Sequence, residues 1–362
     1  MTTATTVDLS VDEDLQAMLS DVVSGFSGPD VRPDADAVWS TLREVGVARL
    51  TAPEDAGGSG AGWAEAAALL RTAAAAGVAV PYAETDLLAG PLRRAAGIDD
   101  SSDSTATVAL FDSSGTAHGV PWAGATATVV CVRPAGDTHE LADVPTDRLT
   151  ITTIEGISAV PTGSVTVGEG ISWSPVPTAA VEAYVLRGAL ARALQCVGAM
   201  DGMLASAIEH TTARSQFGRA LAKFQSVQNL VVDIAAESVL ARAAVDTALA
   251  DALTDDLDGE LSQFRVAVAR SVVSQALAVA VRNVHQVHGA IGTTHEHTLH
   301  RVTLPALQWR GEFGSPAFWE GFLSRAAIVG GMDGAWPMVA EGARVEDAAS
   351  RYLDAVIARS VS

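Results

Sequence analysis

Cysteine is nearly absent from this chain. Its two cysteines, Cys131 and Cys196, lie far apart and form no C-x-x-C, which argues against a disulfide scaffold and against a thiolate metal site. Basic residues are also scarce: 23 Lys and Arg face 43 Asp and Glu, a net charge of −20, whereas phosphate backbones and anionic lipid surfaces favour the opposite balance. Neither nucleic acid nor membrane is expected as a partner. No uninterrupted apolar run approaches the ~18–20 residues of a membrane span. The opening "MTTATTVDLSVDEDL" has no basic start and no apolar block, so a signal peptide is not expected and the chain reads as cytoplasmic.

What is present suits a soluble globular protein, with 48% hydrophobic and 18% charged residues. At 362 residues the chain is too long for one ordinary core, so about two or three domains are expected. Over residues 1–100, Leu15, Met18, Leu19, Val22, Val23 and Phe26 recur at helical spacing, with Ser10 and Glu13 placed as a capping box. A second helix carries Trp39 and Leu42, and the Pro53 to Gly62 loop separates it from a third. Over residues 101–182, "TATVALF", "ATATVVCV", "RLTITTI" and "GSVTVGE" are short β-branched runs broken by Gly, Pro, Asp and Ser, the pattern of antiparallel strands in a small β domain. Over residues 183–362 the helical period returns, with Leu190, Leu194, Val197, Leu204 and Ile208 on one face. Long helices are expected at about 224–253 and 259–288 and shorter ones near 316–328 and 335–358, packed as a bundle. The expected fold class is mainly α with a central β domain.

Within the helical region, "RSQFGRALAKFQSVQNL" (Arg214 to Leu230) carries an arginine, a glycine and three glutamines where a core helix has no use for them. A glycine inside a helix costs about 1 kcal/mol against alanine, so Gly218 marks a corner between two helices. Arg214, Gln216 and Phe217 precede that corner, and Gln225 and Gln228 follow it by one and two turns. The corner presents a cation and several amides to a ligand.

The order of helices, β domain and helical bundle, with "ARSQFGRALAKFQSVQNLVVDIA", "QVHGAIGTTHEHTLHR", "VGVARLTAPEDAGGSG" and "ALQCVGAM" in sequence, resembles the acyl-CoA dehydrogenase family over nearly the whole chain. The resemblance implies FAD lying across a subunit interface. It places Arg214 at the pyrophosphate, Gln216, Phe217 and Gln225 along the ADP part, and Gln286 and Gly289 at its far side. The residue types suit those places, since a guanidinium fork matches a pyrophosphate, amides both donate and accept, and glycine allows close backbone approach. The implied reaction is α,β-desaturation of an acyl-CoA thioester by a carboxylate base and the flavin, with an electron carrier such as electron-transfer flavoprotein as the acceptor.

The sequence departs from the family where the base belongs. Of the two positions at which the family keeps its catalytic glutamate, one aligns with Gly188 and the other with Phe313. Glu312 adjoins the second and is the remaining candidate, although on regular secondary structure its side chain points elsewhere. The flavin-side strand motifs are also reduced, with Trp122 a packed remnant. The chain therefore resembles the base-lacking subunit of actinobacterial heteromeric acyl-CoA dehydrogenases that act on bulky substrates such as steroid side chains. That resemblance implies a homologous catalytic partner, and glycine at 188 is expected to vacate volume for a bulky acyl group. The alternatives are a self-sufficient homo-oligomer using Glu312, and a flavin-free scaffold of the same fold.

Other signals have plainer readings. His285, His288, His295, His297 and His300 fall within sixteen positions, but they coincide with the Gln-x-x-Gly segment and no cysteine is near, so no metal site is expected. "GGSGAG" (Gly57 to Gly62) follows no βαβ strand and is not a dinucleotide loop. "TDDLDGE" (Thr254 to Glu260) lacks calcium-ligand spacing and reads as a solvated turn between helices.

Overall fold

Asp12, not Ser10, starts the first helix. In the computed structural model, which describes residues 7–28, 31, 34–345 and 347–358, α1 spans Glu13–Ser24 and the Asp12 carboxylate accepts from the N–H groups of Asp14 and Leu15. Ser10 instead donates to Asp8 Oδ1 at 2.7 Å. A carboxylate directly ahead of the first turn satisfies free N–H groups and meets the positive end of the helix dipole, so it displaces the hydroxyl two residues earlier. Residues 1–6, part of the N-terminal stretch in which no signal peptide is expected, lie outside the described residues. Helix α2 (Ala35–Glu44) buries Val38, Trp39 and Leu42, and α3 (Trp63–Ala75) follows the Pro53 to Gly62 loop, which holds one 3-10 turn at Glu54–Ala56. A buried π-helical turn (Ala83–Ala89) then runs into α4 (Gly90–Ala95) and carries Glu84 and Asp86 into the interior.

Seven strands follow: β1 (Ala106–Leu110), β2 (Thr116–Pro121), β3 (Thr128–Ala135), β4 (Thr138–Pro145), β5 (Leu149–Ile154), β6 (Thr162–Val167) and β7 (Ser174–Val176). They form two sheets, ordered β1-β3-β4-β7 and β2-β6-β5. One pairing differs from the antiparallel expectation, since β1 runs parallel to β3 with Ala106 opposite Thr128 and Leu110 opposite Val132. The chain leaves the first sheet through β2 and returns, so β1 and β3 point the same way. Alternation along β3 sorts its residues between two cores. Val129 and Cys131 face Phe111, Ala117 and Val165 between the sheets, while Val130 and Val132 join Leu141 in the main core shared with the helices.

Helix α5 (Thr178–Ala213) begins ahead of the expected return at about residue 183 and is the axis of the helical part. Gly198 and Gly202 let it press against the backbone of α3: a Cβ at either would stand 2.3 Å from the Arg71 carbonyl oxygen or 2.2 Å from that of Ala75. Leu190, Leu194 and Val197 are fully buried, but Ile208 is 48% exposed because the last turns of α5 run out to the surface corner. Helices α6 (Gln225–Asp255) and α7 (Ser262–His288) pack along it. The acidic stretch at 254–260 is the turn between them. It is mostly exposed, as expected, although Asp256 accepts from Trp63 Nε1 at 3.0 Å and pairs with Arg187. Ser262–Thr293 is long and apolar enough to cross a membrane by length and composition, but 61% of its most apolar window is buried, as befits a core helix. Three shorter helices close the chain: α8 (His300–Trp309), α9 (Pro316–Glu341, kinked at Gly331) and α10 (Ala348–Ile357). The single helix expected near 335–358 is thus the end of α9 and a separate α10, divided after Glu341 by Gly342 with φ 87°.

Candidate functional site

Two constellations stand at opposite ends of α5. At its C-terminus the chain makes the expected corner as a two-strand hairpin, β8 (Ser215–Gln216) against β9 (Arg219–Ala220). The two turn residues, Phe217 and Gly218, have φ of 52° and 80°. Positive φ at both central positions is the type I′ geometry that matches strand twist. It suits Gly218 and leaves Phe217 strained, and the Phe217 side chain is 92% exposed. The hairpin, the start of α6 and the end of α7 enclose a cavity of about 660 Å³ whose walls include Arg214, Gln216, Phe217, Gln286 and Gly289. Five of the six residues assigned to the ADP side thus meet, although the corner and the Gln-x-x-Gly segment are far apart in sequence. Gln225 is the exception: it opens α6 and its amide donates to Asn229 Oδ1 at 3.1 Å.

The donor set suits a diphosphate. Among the described residues the Arg214 guanidinium has no carboxylate partner, and two amides lie beside it. Ser226 and Val227 bring the first turn of α6 to the cavity wall, where the positive end of the helix dipole favours an anion. Gly289, at φ 65°, has open space where a Cβ would stand, so a ligand can approach its backbone.

Nearer the N-terminal end of α5, Gly188 and Phe313, the two positions at which the resemblance led us to expect a base, come face to face. A Cβ on Gly188 would lie 2.2–2.4 Å from three atoms of the Phe313 ring. The glycine therefore leaves no vacant volume there, contrary to expectation, because Phe313 from the loop after α8 fills it. That ring lies edge-on to Tyr184 (centroids 5.3 Å apart) and stacks on Tyr352 of α10 (6.5 Å). Phe313 itself sits at φ 53°. Its loop is held by the buried Arg270 guanidinium, which donates to the carbonyls of Glu312 (2.7 Å), Arg310 (2.9 Å) and Gly314 (3.2 Å). Burial, offset only in part by nearby groups that include the Glu312 carboxylate, pushes the Arg270 guanidinium down to about 10.

Glu312 has both carboxylate oxygens engaged. Oε2 accepts from Arg192 Nε at 2.6 Å and Oε1 from Gln308 Nε2 at 2.9 Å. Arg192 is itself buried, pairs also with Glu84, and donates to Gln195 Oε1 at 2.8 Å. Desolvation opposes the charge of Arg192, and the two carboxylates more than restore it, leaving its pKa raised. A cavity of about 390 Å³ beside this network is walled by Val108, His118, Tyr184, Glu312, Phe313 and Tyr352. Sequence reasoning missed Arg192, Glu84 and Arg270. Arg192, one turn after Gly188 within an apolar helical run, was the visible signal; the other two are set by packing.

The remaining candidates are structural. Burial pushes the Cys131 and Cys196 thiols up to about 12, so neither is poised as a thiolate. Trp122 is buried in the turn after β2. "GGSGAG" runs from the 3-10 turn to the start of α3 and meets no strand.

Comparison with known proteins bears on the fold and the family resemblance. Residues 179–312 match the sequence family described as "Acyl-CoA dehydrogenase, C-terminal domain". The chain is similar to "Acyl-CoA dehydrogenase IpdE2" of Mycolicibacterium smegmatis, 27% identical over 273 residues that cover 72% of this chain and 78% of that protein. Among solved structures it is similar to a chain of the ChsE4-ChsE5 complex from Mycobacterium tuberculosis (TM-score 0.77, 21% identity, 88% of this chain and 98% of that one). It is also similar to a chain of a Tcur3481-Tcur3483 steroid ACAD variant (TM-score 0.75, 22% identity, 86% and 96%).

Proposed function

We propose that this chain, which has the acyl-CoA dehydrogenase fold and over residues 179–312 that family's C-terminal domain, is the non-catalytic subunit of a heteromeric, FAD-dependent acyl-CoA dehydrogenase. The observation that carries this reading is the pairing of Gly188 with Phe313. Both positions that could present a general base are occupied, one by a hydrogen atom and the other by an aromatic ring packed against it. Bound FAD supplies the hydride acceptor of the desaturation. Removal of the α-proton requires a carboxylate within hydrogen-bonding reach, and Glu312 is committed to Arg192 and Gln308. The proton is therefore taken by a glutamate of a homologous partner.

In this arrangement the chain contributes the ADP side of the shared cofactor site. Arg214 neutralises the diphosphate, Gln216 and Gln286 bond its oxygens or the ribose, and Gly289 admits the backbone. Phe217 presents its exposed ring, and Gln225 turns from Asn229 to the ligand. The substrate class is an acyl-CoA with a bulky acyl group. The likeness to the ChsE4-ChsE5 complex and to a steroid ACAD supports both the heteromeric state and that class, and an electron carrier of the electron-transfer flavoprotein kind completes the turnover.

The test is co-expression with a homologous subunit that keeps a glutamate at the position matching Gly188, followed by native mass measurement and flavin quantification. The expected product is a dimer of heterodimers with fewer flavins than chains, inactive when the partner is omitted. A homotetramer of this chain alone, carrying one FAD per chain and active on an acyl-CoA, overturns the reading.

A further inference from the structure

Three histidines from separate elements converge beside the Arg214 cavity: His210 in the last turn of α5, His288 at the end of α7 and His297 in the segment before α8. Their ligand atoms all lie within 4.8 Å of one another, and the ring centroids of His288 stand 4.4 Å from His210 and 4.8 Å from His297. We infer that this triad is a binding site for a late first-row divalent cation of the zinc class, held by three imidazoles with a fourth position open.

Several features favour an ion over mere packing. His288 Nδ1 lies 2.8 Å from the Val284 carbonyl oxygen, which can only accept, so Nδ1 carries the proton and Nε2 keeps the lone pair that can ligate. A backbone carbonyl on the far nitrogen is the usual outer support of a metal-bound histidine. The Ser206 hydroxyl, 3.1 Å from His288 Nε2, stands where an oxygen ligand or a bound water would complete the set. All-imidazole ligation selects zinc, copper or nickel over magnesium or calcium. Ligation needs a modest closure, because nitrogens sharing one tetrahedral zinc stand roughly 3.3–3.4 Å apart. It also displaces two contacts: the Ser206 hydroxyl turns from the His288 Nε2 lone pair to the ion, and His297 Nδ1, which accepts from the Leu299 N–H at 3.1 Å, gives that bond up whichever of its nitrogens ligates. Sequence spacing pointed away from this site because His210, the member that completes it, comes from another helix.

The inference is independent of the flavin reading, and its test uses the metal alone. The full chain, stripped with chelator and checked for folding by circular dichroism, is titrated with Zn²⁺ by calorimetry, and with Co²⁺ to read the visible bands of a tetrahedral site. One equivalent bound is expected, with at least the ~10–100-fold loss of affinity in His210→Ala and His297→Ala that removing even an outer support typically causes. His295→Ala, whose ring meets that of His300 outside the triad, should leave affinity unchanged. If His210→Ala disturbs folding, His210→Gln keeps the volume and serves instead. Absence of stoichiometric binding, or binding that survives both triad substitutions, overturns the inference.

Discussion

Gly188→Ala is the substitution that most directly probes why the base position is empty. The new methyl would lie 2.2–2.4 Å from the Phe313 ring, closer than real contacts allow, so the ring or α5 must move. The ring has little freedom. Tyr184 and Tyr352 flank it, Arg270 grips its loop through three carbonyls, and Trp319 Nε1 donates to the Phe313 carbonyl at 3.1 Å. Overpacking of this kind costs about 1–3 kcal/mol. Replacing a mid-helix glycine by alanine returns about 1 kcal/mol. The net expectation is a destabilisation of about 0–2 kcal/mol. In a Phe313→Ala background, itself costing about 3–5 kcal/mol, the clash is gone and the same change should stabilise by about 1 kcal/mol. The coupling read from the double-mutant cycle is then about 1–3 kcal/mol. Gly321→Ala in α9, where the nearest atom to a new Cβ is the Arg325 guanidinium at 3.6 Å, is the control and should show the helix gain alone. Urea unfolding of the parent chain and these variants supplies the numbers. Stabilisation by Gly188→Ala equal to that of Gly321→Ala, with no dependence on residue 313, would refute the account.

Three further substitutions probe other parts of the molecule. Arg214→Ala removes the guanidinium that, among the described residues, lines the proposed diphosphate cavity, and should weaken FAD retention in the assembled enzyme by about 1.5–3 kcal/mol while leaving the chain folded; unchanged flavin affinity in a titration would remove the assignment. Glu312→Gln should leave turnover of the assembled enzyme nearly untouched, whereas loss of a true base lowers the rate by ~10²–10⁴, and should cost about 1.5–3 kcal/mol in stability through the weakened Arg192 contact. Gly198→Ala sets a methyl 2.3 Å from the Arg71 carbonyl oxygen, backbone that cannot rotate aside, so the α3–α5 contact should open with a fall in melting temperature, and a crystal structure should show the two helices farther apart.

What the sequence by itself determined was everything carried by period and by local chemistry. Helical spacing in α1, α2, α5, α6 and α7 and β-branched runs in β1, β3, β5 and β6 were legible because burial on one face imposes a repeat on neighbouring residues. The corner at Gly218 was legible because a glycine there answers a backbone need within four residues. Tertiary structure decided the rest. The parallel pairing of β1 with β3, the engagement of Glu312 by Arg192, the ring of Phe313 against Gly188 and the meeting of His210 with His288 and His297 all join residues distant in the chain. No periodicity records such contacts. They depend on how whole elements pack, and a single glycine or arginine takes its role from what the other elements bring against it.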